Sequence, residues 1–355
     1  MQAKITTKSS GGEEIFVGID VHLKNWIITV MLMNSEFKTF SQKACAETLG
    51  GYLRRNFPGA NYYSAYEAGF CGYSTHRELE EQGISNIVVN PADIPTTDKE
   101  RKQKEDKRDS RKIARALRNG ELQGIYIPTV TGMEFRTLVR CRKTLVKEIT
   151  RNKSRVKAML HFYGIKIPEE LNTASRHWSA RFTAWLRDVG FASSCGSKSL
   201  EVILDTTLYF RQKLLDVNRE LREMRKSGPH SAMLQRLCTI PGVGLITACT
   251  LLSEVENIHR FKNLDAFCSF IGLVPSTNSS SDREIVRGIT PRANKPMRSI
   301  IVEAAWMAVR NDPTLAVRFN ELCRRMEPNK AIIRIAKNLL SRIRYVLKNE
   351  TDYVC

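Results

Sequence analysis

The chain has 355 residues, of which 56 are Lys or Arg and 37 are Asp or Glu, giving a net charge of +19 and a pI near 9.7. This length exceeds one compact core and predicts two or three domains, while a hydrophobic content of 42 % is enough to fold most of them. The charge calls for a polyanionic partner, nucleic acid rather than a membrane surface: no apolar run approaches the ~20 residues of a membrane span, and Met1 to Glu14 is polar with no signal-peptide core, which predicts a cytoplasmic protein.

The first segment, to about Asn119, reads as α/β. Ile15–Asp20, Trp26–Met33 and Phe37–Phe40 are β-rich runs with short polar breaks, the pattern of an antiparallel meander. Ala46–Phe57 has helical spacing and ends at the turn signal Phe57-Pro58-Gly59. A strand over Tyr62–Tyr66, a helix over Tyr73–Gln82 and a strand over Asn86–Asn90, stopped by Pro91, come next. Ile113, Ala116 and Leu117 then form the apolar stripe of a helix. A meander followed by alternating helix and strand is the order of a ribonuclease-H-like fold.

Four acids occupy telling places in this order. Asp20 ends the run Ile15–Ile19, Glu67 ends Tyr62–Tyr66, and Asp106 and Asp109 stand three apart near the start of the late helix, on one face of it. Carboxylates converging from rigid strand ends repel one another unless a cation lies between them. In so basic a chain they read as a Mg²⁺ site for phosphodiester chemistry. His22, two residues past Asp20, is either adjacent to that site or simply a loop histidine; its place at a strand end favours the second. Lys99 to Arg118 is dense in cations and includes Arg108, Arg111 and Lys112. A charge run is usually a solvated face, but this one contains two of the acids and so reads as a phosphate-facing surface.

The middle of the chain changes period. Leu138, Leu145, Ile149, Val156 and Met159 recur at four- and three-residue steps, interrupted by Arg142 and Asn152. Ile203, Phe210, Leu214, Val217, Leu221 and Met224 repeat the pattern, with Thr207 in its gap. This predicts a helical, coiled-coil-like region over 131–228, either an intramolecular antiparallel pair or a dimerising coil. Ser227-Gly228-Pro229 closes it.

The last segment, 229–355, is predicted to be mostly α. Ile240-Pro241-Gly242-Val243-Gly244 before an apolar helix matches either a helix-hairpin-helix element, whose amides grip a phosphate, or an ordinary helix-start turn. Gly272-Leu273-Val274-Pro275 leads into Ser276-Thr277-Asn278-Ser279-Ser280-Ser281, which reads by composition as a loop. Arg283, Arg287, Arg292, Lys295 and Arg298 follow it. A serine attacking phosphorus needs such cations to neutralise the developing charge. A basic amphipathic helix carrying Ile332, Ile335, Leu339, Ile343 and Val346 ends the sequence. The nine cysteines are scattered with no Cys-x-x-Cys pair, which argues against a zinc ribbon or a disulfide framework.

Taken together, Val17-Gly18-Ile19-Asp20-Val21-His22, Tyr66-Glu67-Ala68-Gly69, Asp106-Lys107-Arg108-Asp109, Ile240–Gly244, Gly272–Pro275 with its serines and Val302-Glu303-Ala304-Ala305-Trp306 resemble, in order and spacing, a family of insertion-sequence transposases. These pair an N-terminal RuvC-like domain with a C-terminal domain bearing a catalytic serine, and include the bridge-RNA-guided DNA recombinases. The resemblance covers most of the chain. It implies a RuvC-like domain over 1–130, the helical region over 131–228 and a transposase domain over 229–355. It also implies that Asp20, Glu67, Asp106 and Asp109 form the metal-binding acidic tetrad, and that Ser280 is the nucleophile. The glycine that usually follows this serine is replaced by Ser281, so Ser279 and Ser281 stay open as alternatives. DNA, a structured guide RNA and a homodimer or homotetramer are the implied partners, in a nucleoid-associated prokaryotic protein. Two rivals remain: a metal nuclease that uses water, and an inactivated element surviving as a nucleic-acid-binding protein.

Overall fold

A computed structural model describes residues 12–95, 106–173, 175–280, 283–290 and 293–354; of these, the side chains of 106, 107, 276–280 and 283–287 are not described. Two compact units emerge, Met1–Pro128 and Thr129–Cys355.

The first unit is α/β, as its alternating periods predict. Strands β1 (Glu14–Val21), β2 (Asn25–Met31), β3 (Glu36–Lys43), β4 (Asn61–Glu67) and β5 (Ser85–Val89) form one sheet in the order β3-β2-β1-β4-β5. The meander β1-β2-β3 is antiparallel, whereas β4 lies parallel to β1 and β5 parallel to β4. Helices α1 (Ala46–Asn56) and α2 (Ser74–Glu81) connect the later strands, and α3 (Asp106–Arg118) follows β5. Strand alternation sends Ile15, Val17 and Ile19 to one face, where they bury with Trp26, Ile28, Val30, Tyr66 and Val88 against Leu49 and Leu53 of α1 and Leu79 of α2. Phe16 goes to the other face and packs with Tyr63, Ala65, Ile87 and Val89 against Ile113, Ala114, Ala116 and Leu117 of α3.

The second unit is helical apart from one hairpin. Its long helices, α4 (Val130–Phe162) and α6 (Ser194–Lys226), run antiparallel. Arg142 Nε donates to Asn218 Oδ1 at 2.7 Å towards one end. Val156 and Leu160 share a buried cluster with Leu200 and Leu204 towards the other, completed by Leu171, Trp178, Phe182 and Leu186. Phe182 and Leu186 come from α5 (Ala180–Arg187) in the connector. The pair is thus made within one chain. The polar interruptions of the apolar pattern have partners too: Asn152, 3 % exposed, accepts from Arg155 Nη1 at 2.9 Å.

The larger core gathers α7 (Ser231–Leu237), α8 (Leu245–Val255), α9 (Leu264–Ile271), α10 (Lys295–Asn311), α11 (Pro313–Cys323) and α12 (Pro328–Asn349) around Phe135, Val139 and Leu221 of the long pair. Between α7 and α8, Gly242 is left-handed at φ 88°, and a Cβ there would meet Ala308 Cβ at 2.7 Å, so the turn is pressed against α10. Residues Ser276–Ser280 of the serine-rich stretch are not a loop: β6 (Pro275–Ser280) pairs antiparallel with β7 (Arg283–Ile289), and Ser280 opposes Arg283, while Ser281 lies outside the described residues. Among the described residues, no helix is long and apolar enough to cross a membrane. Cys45, Cys71, Cys141, Cys195, Cys238, Cys249, Cys268 and Cys323 are free, and burial pushes the Cys249 thiol up to about 12.

Candidate active site

Register places two of the acids side by side. In the parallel pair β1–β4, Gly18 aligns with Ala65 and Ile19 with Tyr66, so the acids Asp20 and Glu67 are one step further along each strand. Asp20 continues the alternate series Phe16, Gly18, and Glu67 continues Tyr63, Ala65. Both acids therefore leave the sheet on the face that α3 covers, at the carboxyl ends of adjacent parallel strands. That edge is where open α/β sheets commonly place a ligand crevice.

Gly18 sets how closely α3 approaches. A Cβ at this position would overlap the Ser110 carbonyl oxygen and the Ala114 amide nitrogen, and would sit 2.9 Å from Ala114 Cα. Only glycine lets helix backbone rest on strand backbone here. The contact is locked by Ser110, fully buried, whose Oγ is 2.9 Å from Thr29 Oγ1 on β2. Ser110 precedes Ile113 and Ala114 on the buried stripe of α3, and Asp106 and Asp109 occupy the first turn of the same helix. Asp109 Oδ1 lies 3.3 Å from Lys112 Nζ. The Asp106 side chain lies outside the described residues.

His22 Nε2 stands 3.2 Å from Asp20 Oδ2, so the exposed loop histidine also touches the site. Of the cations assigned from sequence, Arg108 is exposed, Arg111 Nε lies 2.8 Å from Glu36 Oε2 on β3, and Lys112 is held by Asp109. Arg111 and Lys112 are thus already engaged by carboxylates of the same unit.

Oxygen-only donors from two strand ends and a helix suit a hard divalent cation. Among the described residues, no three His, Cys, Asp or Glu side chains are gathered closely enough to enclose an ion.

In the second unit, Ser280 is the last residue of β6, and Arg283 and Arg287 lie on β7; their side chains, and all of Arg292, lie outside the described residues. Lys295 opens α10 and is exposed. Arg298 is different, since its guanidinium donates to main-chain oxygens, with Nη1 2.7 Å from Thr290 O and 3.4 Å from Gly272 O. Sequence reasoning missed the support beneath it. Glu254 of α8 is 5 % exposed and receives Arg140 from α4 through Nε at 2.8 Å and Nη2 at 3.0 Å. No local signal marks Glu254, because Arg140 lies more than a hundred residues away.

A DEDD-type transposase model of the IS110 group matches residues 17–165. The model of the transposase IS116/IS110/IS902 family matches residues 234–320. The y4qE protein of Sinorhizobium fredii is 28 % identical over 340 residues, covering 93 % of this chain and 80 % of that one. The transposase for insertion sequence element IS1111A of Coxiella burnetii is 25 % identical over 292 residues, 80 % of this chain and 78 % of that one. The transposase for insertion sequence element IS1533 of Leptospira borgpetersenii is 25 % identical over 304 residues, 82 % of this chain and 85 % of that one. With both models matched in sequence order and such relatives aligned along most of its length, the chain belongs to the IS116/IS110/IS902 family of transposases, enzymes that cut and rejoin DNA.

Proposed function

We propose that this transposase moves its insertion sequence by a serine-mediated, Mg²⁺-dependent recombination in which a structured RNA selects the DNA sites. The observation that carries the reading is the placement of Asp20 and Glu67 on one face of adjacent parallel strands, beside the helix that bears Asp106 and Asp109. In a ribonuclease-H-like, RuvC-like reading of the first unit, those four carboxylates hold the metal. When bound, Mg²⁺ neutralises charge on the scissile phosphate.

The protein's own groups do the rest. Ser280 Oγ attacks phosphorus, the Oγ–P bond forms as the bond to the leaving deoxyribose oxygen breaks, the serine hydroxyl proton passes to solvent, and the leaving oxygen takes a proton from solvent to become a DNA hydroxyl. Arg283, Arg287, Arg292 and Lys295 neutralise the charge that develops. A phosphoserine linkage conserves the bond energy, so rejoining is the reverse displacement by a second DNA hydroxyl that regenerates the serine. Exposed cations such as Arg108 contact phosphates, which give affinity without sequence information, and this leaves base pairing to the RNA. The two units act together over DNA, within a dimer or tetramer, in the cytoplasm at the nucleoid.

A suicide substrate run on denaturing gels tests the proposal. Wild type should yield a covalent protein–DNA species that Ser280→Ala eliminates, while Asp20→Asn and Asp106→Asn abolish cleavage with nucleic-acid binding retained. An adduct that survives Ser280→Ala but is lost in Ser279→Ala or Ser281→Ala moves the nucleophile by one residue. Cleavage by wild type without any adduct replaces the serine with water, and full recombination by Asp20→Asn removes the metal site.

A further inference from the structure

The hairpin whose first strand ends at Ser280 is anchored at its base by a chain of polar groups that converge on the buried Glu254. One leg enters from α9 through Gly272, Leu273 and Val274, and the other leaves through Thr290. Thr290 N donates to Val274 O at 3.0 Å, and Pro275 pairs with Ile289 just beyond. Arg298 spans the two legs through its bonds to Gly272 O and Thr290 O. Its position is fixed in turn by Asn294, the cap of α10. Asn294 O accepts from Arg298 N at 2.9 Å, and Asn294 N donates to Phe270 O at 3.3 Å. Its Oδ1 accepts from Met297 N at 3.2 Å, and its Nδ2 donates to Glu254 Oε2 at 3.0 Å.

Glu254 closes the network. Both of its oxygens are taken by Arg140, and the Arg136 guanidinium lies 3.8 Å away while its Nε donates to Ser253 O at 2.9 Å. Only the Glu254 end of the Arg140 pair is buried, the Arg140 side chain being 58 % exposed; an ion pair with a desolvated end is a weak source of net stability, and its best-attested use is to fix one arrangement over others. Here the arrangement it fixes is the base of the hairpin. A one-residue slip between antiparallel strands exchanges their faces. The register at Pro275 therefore decides whether Ser280, or instead Ser279 and Ser281, is offered to DNA. That register already shifts between Pro275 and Thr277, so it needs an external reference.

We propose that Arg298, seated by the Asn294–Glu254–Arg140 chain, is the positioning residue that sets the register of the serine-bearing hairpin, rather than a phosphate contact. The role of Ser280 in this proposal rests on the function proposed above; the clamp itself does not.

Two measurements on the full-length protein separate these claims. Amide hydrogen exchange over 275–289 should be about tenfold faster in Arg298→Gln, the effect of losing a charged hydrogen bond. Unchanged exchange there overturns the clamp whatever the nucleophile is. Single-turnover adduct formation at saturating DNA should fall by about 10²-fold in Arg298→Gln, the cost of a small misplacement, with affinity and salt dependence unaltered. Arg298→Lys, which keeps a donor, should recover part of the rate, and Glu254→Gln should show the same pattern more weakly. An Arg298→Gln that instead keeps the wild-type adduct rate but loses affinity, with a salt slope smaller by about one phosphate, is a phosphate-contact variant and defeats the proposal. If wild type and Ser280→Ala alike form no adduct, the serine reading fails, while the exchange data still decide the clamp.

Discussion

Gly18 and Ser110 meet backbone to backbone: the α-carbon of one faces the carbonyl of the other with no room for a methyl group between them. That contact sets the height of α3 above the sheet, and α3 carries two of the four acids. Gly18→Ala should therefore lift the first turn of the helix away from Asp20 and Glu67. Overpacking of this kind costs about 1–3 kcal/mol, readable as a lower urea midpoint. Cleavage should fall far more than that loss of stability explains, with all four acids intact. A variant with wild-type cleavage would show that the approach of α3 does not govern the site.

Asp312 caps α11 by accepting from Leu315 N at 2.9 Å, and its second oxygen pairs with Arg342 of α12. The carboxylate is 3 % exposed and the guanidinium 17 %. Burial alone would push the Asp312 carboxyl up, but the Arg342 bond and the amides of Leu315 and Thr314 outweigh it and hold the carboxyl below its usual range. Removing one partner strands a buried charge, so Asp312→Ala should cost about 3–5 kcal/mol. Asp312→Asn keeps a competent cap and should cost less. Equal losses in the two variants would assign the effect to the ion pair rather than to capping. The contribution is present above the unfolded carboxyl's pKa and is lost as pH falls through the lower folded value.

Legibility in the sequence follows the range of the interactions. The strands of the first unit were readable because period-two burial is written locally, and the acids stood out because each one ends such a run. The helical pair was readable from its repeat, but whether Leu204 packs within the chain or across a dimer depends on a partner some forty residues distant. The serine stretch misled because Ser and Asn have low strand propensity; pairing with the Val- and Ile-containing β7 supplies what composition lacks. Gly18 was visible only as part of a motif. Its reason, the Ser110 carbonyl, comes from 92 positions later in the chain.

His76 gives the first unit a defined response to acid. Asn86 Oδ1 accepts from Ser64 Oγ at 2.7 Å, so its Nδ2 faces His76 Nδ1 at 2.9 Å as a donor. That ring nitrogen must be unprotonated. Burial pushes the imidazole down, with Glu80 opposing and Arg77 assisting. Burial likewise pushes down His177, beside Lys157, and His230, which stacks on Phe135 at 4.6 Å. In each case the unfolded chain binds the proton more readily, so stability is whole above the ordinary histidine value of about 6.5 and is lost as pH falls below it. His76→Gln retains an acceptor for Asn86 without titrating. Its stability should decline less than that of wild type between pH 7 and pH 5 in thermal melts, and parallel curves would rule His76 out as a contributor.

Nucleic-acid binding should be governed by salt and sharpened by RNA. A charge of +19 in 355 residues is large enough to neutralise several phosphates, although Arg111, Lys112 and Arg298 are engaged within the protein. Each neutralised phosphate releases condensed counterions. If six to ten phosphates are contacted, affinity should fall by about 10³- to 10⁵-fold between 50 and 200 mM salt. Charge reversal at the exposed Arg108 or Lys295 should weaken binding to all DNA sequences alike and flatten the slope. The structured transcript of the same locus should add discrimination without changing that slope greatly, because base pairing rather than a new set of protein cations would provide it. Fluorescence anisotropy across a salt series, with matched and mismatched DNA and with or without the transcript, measures both effects. A flat salt dependence would remove the electrostatic footing of the proposal. Equal affinity for matched and mismatched DNA in the presence of the transcript would remove the guide.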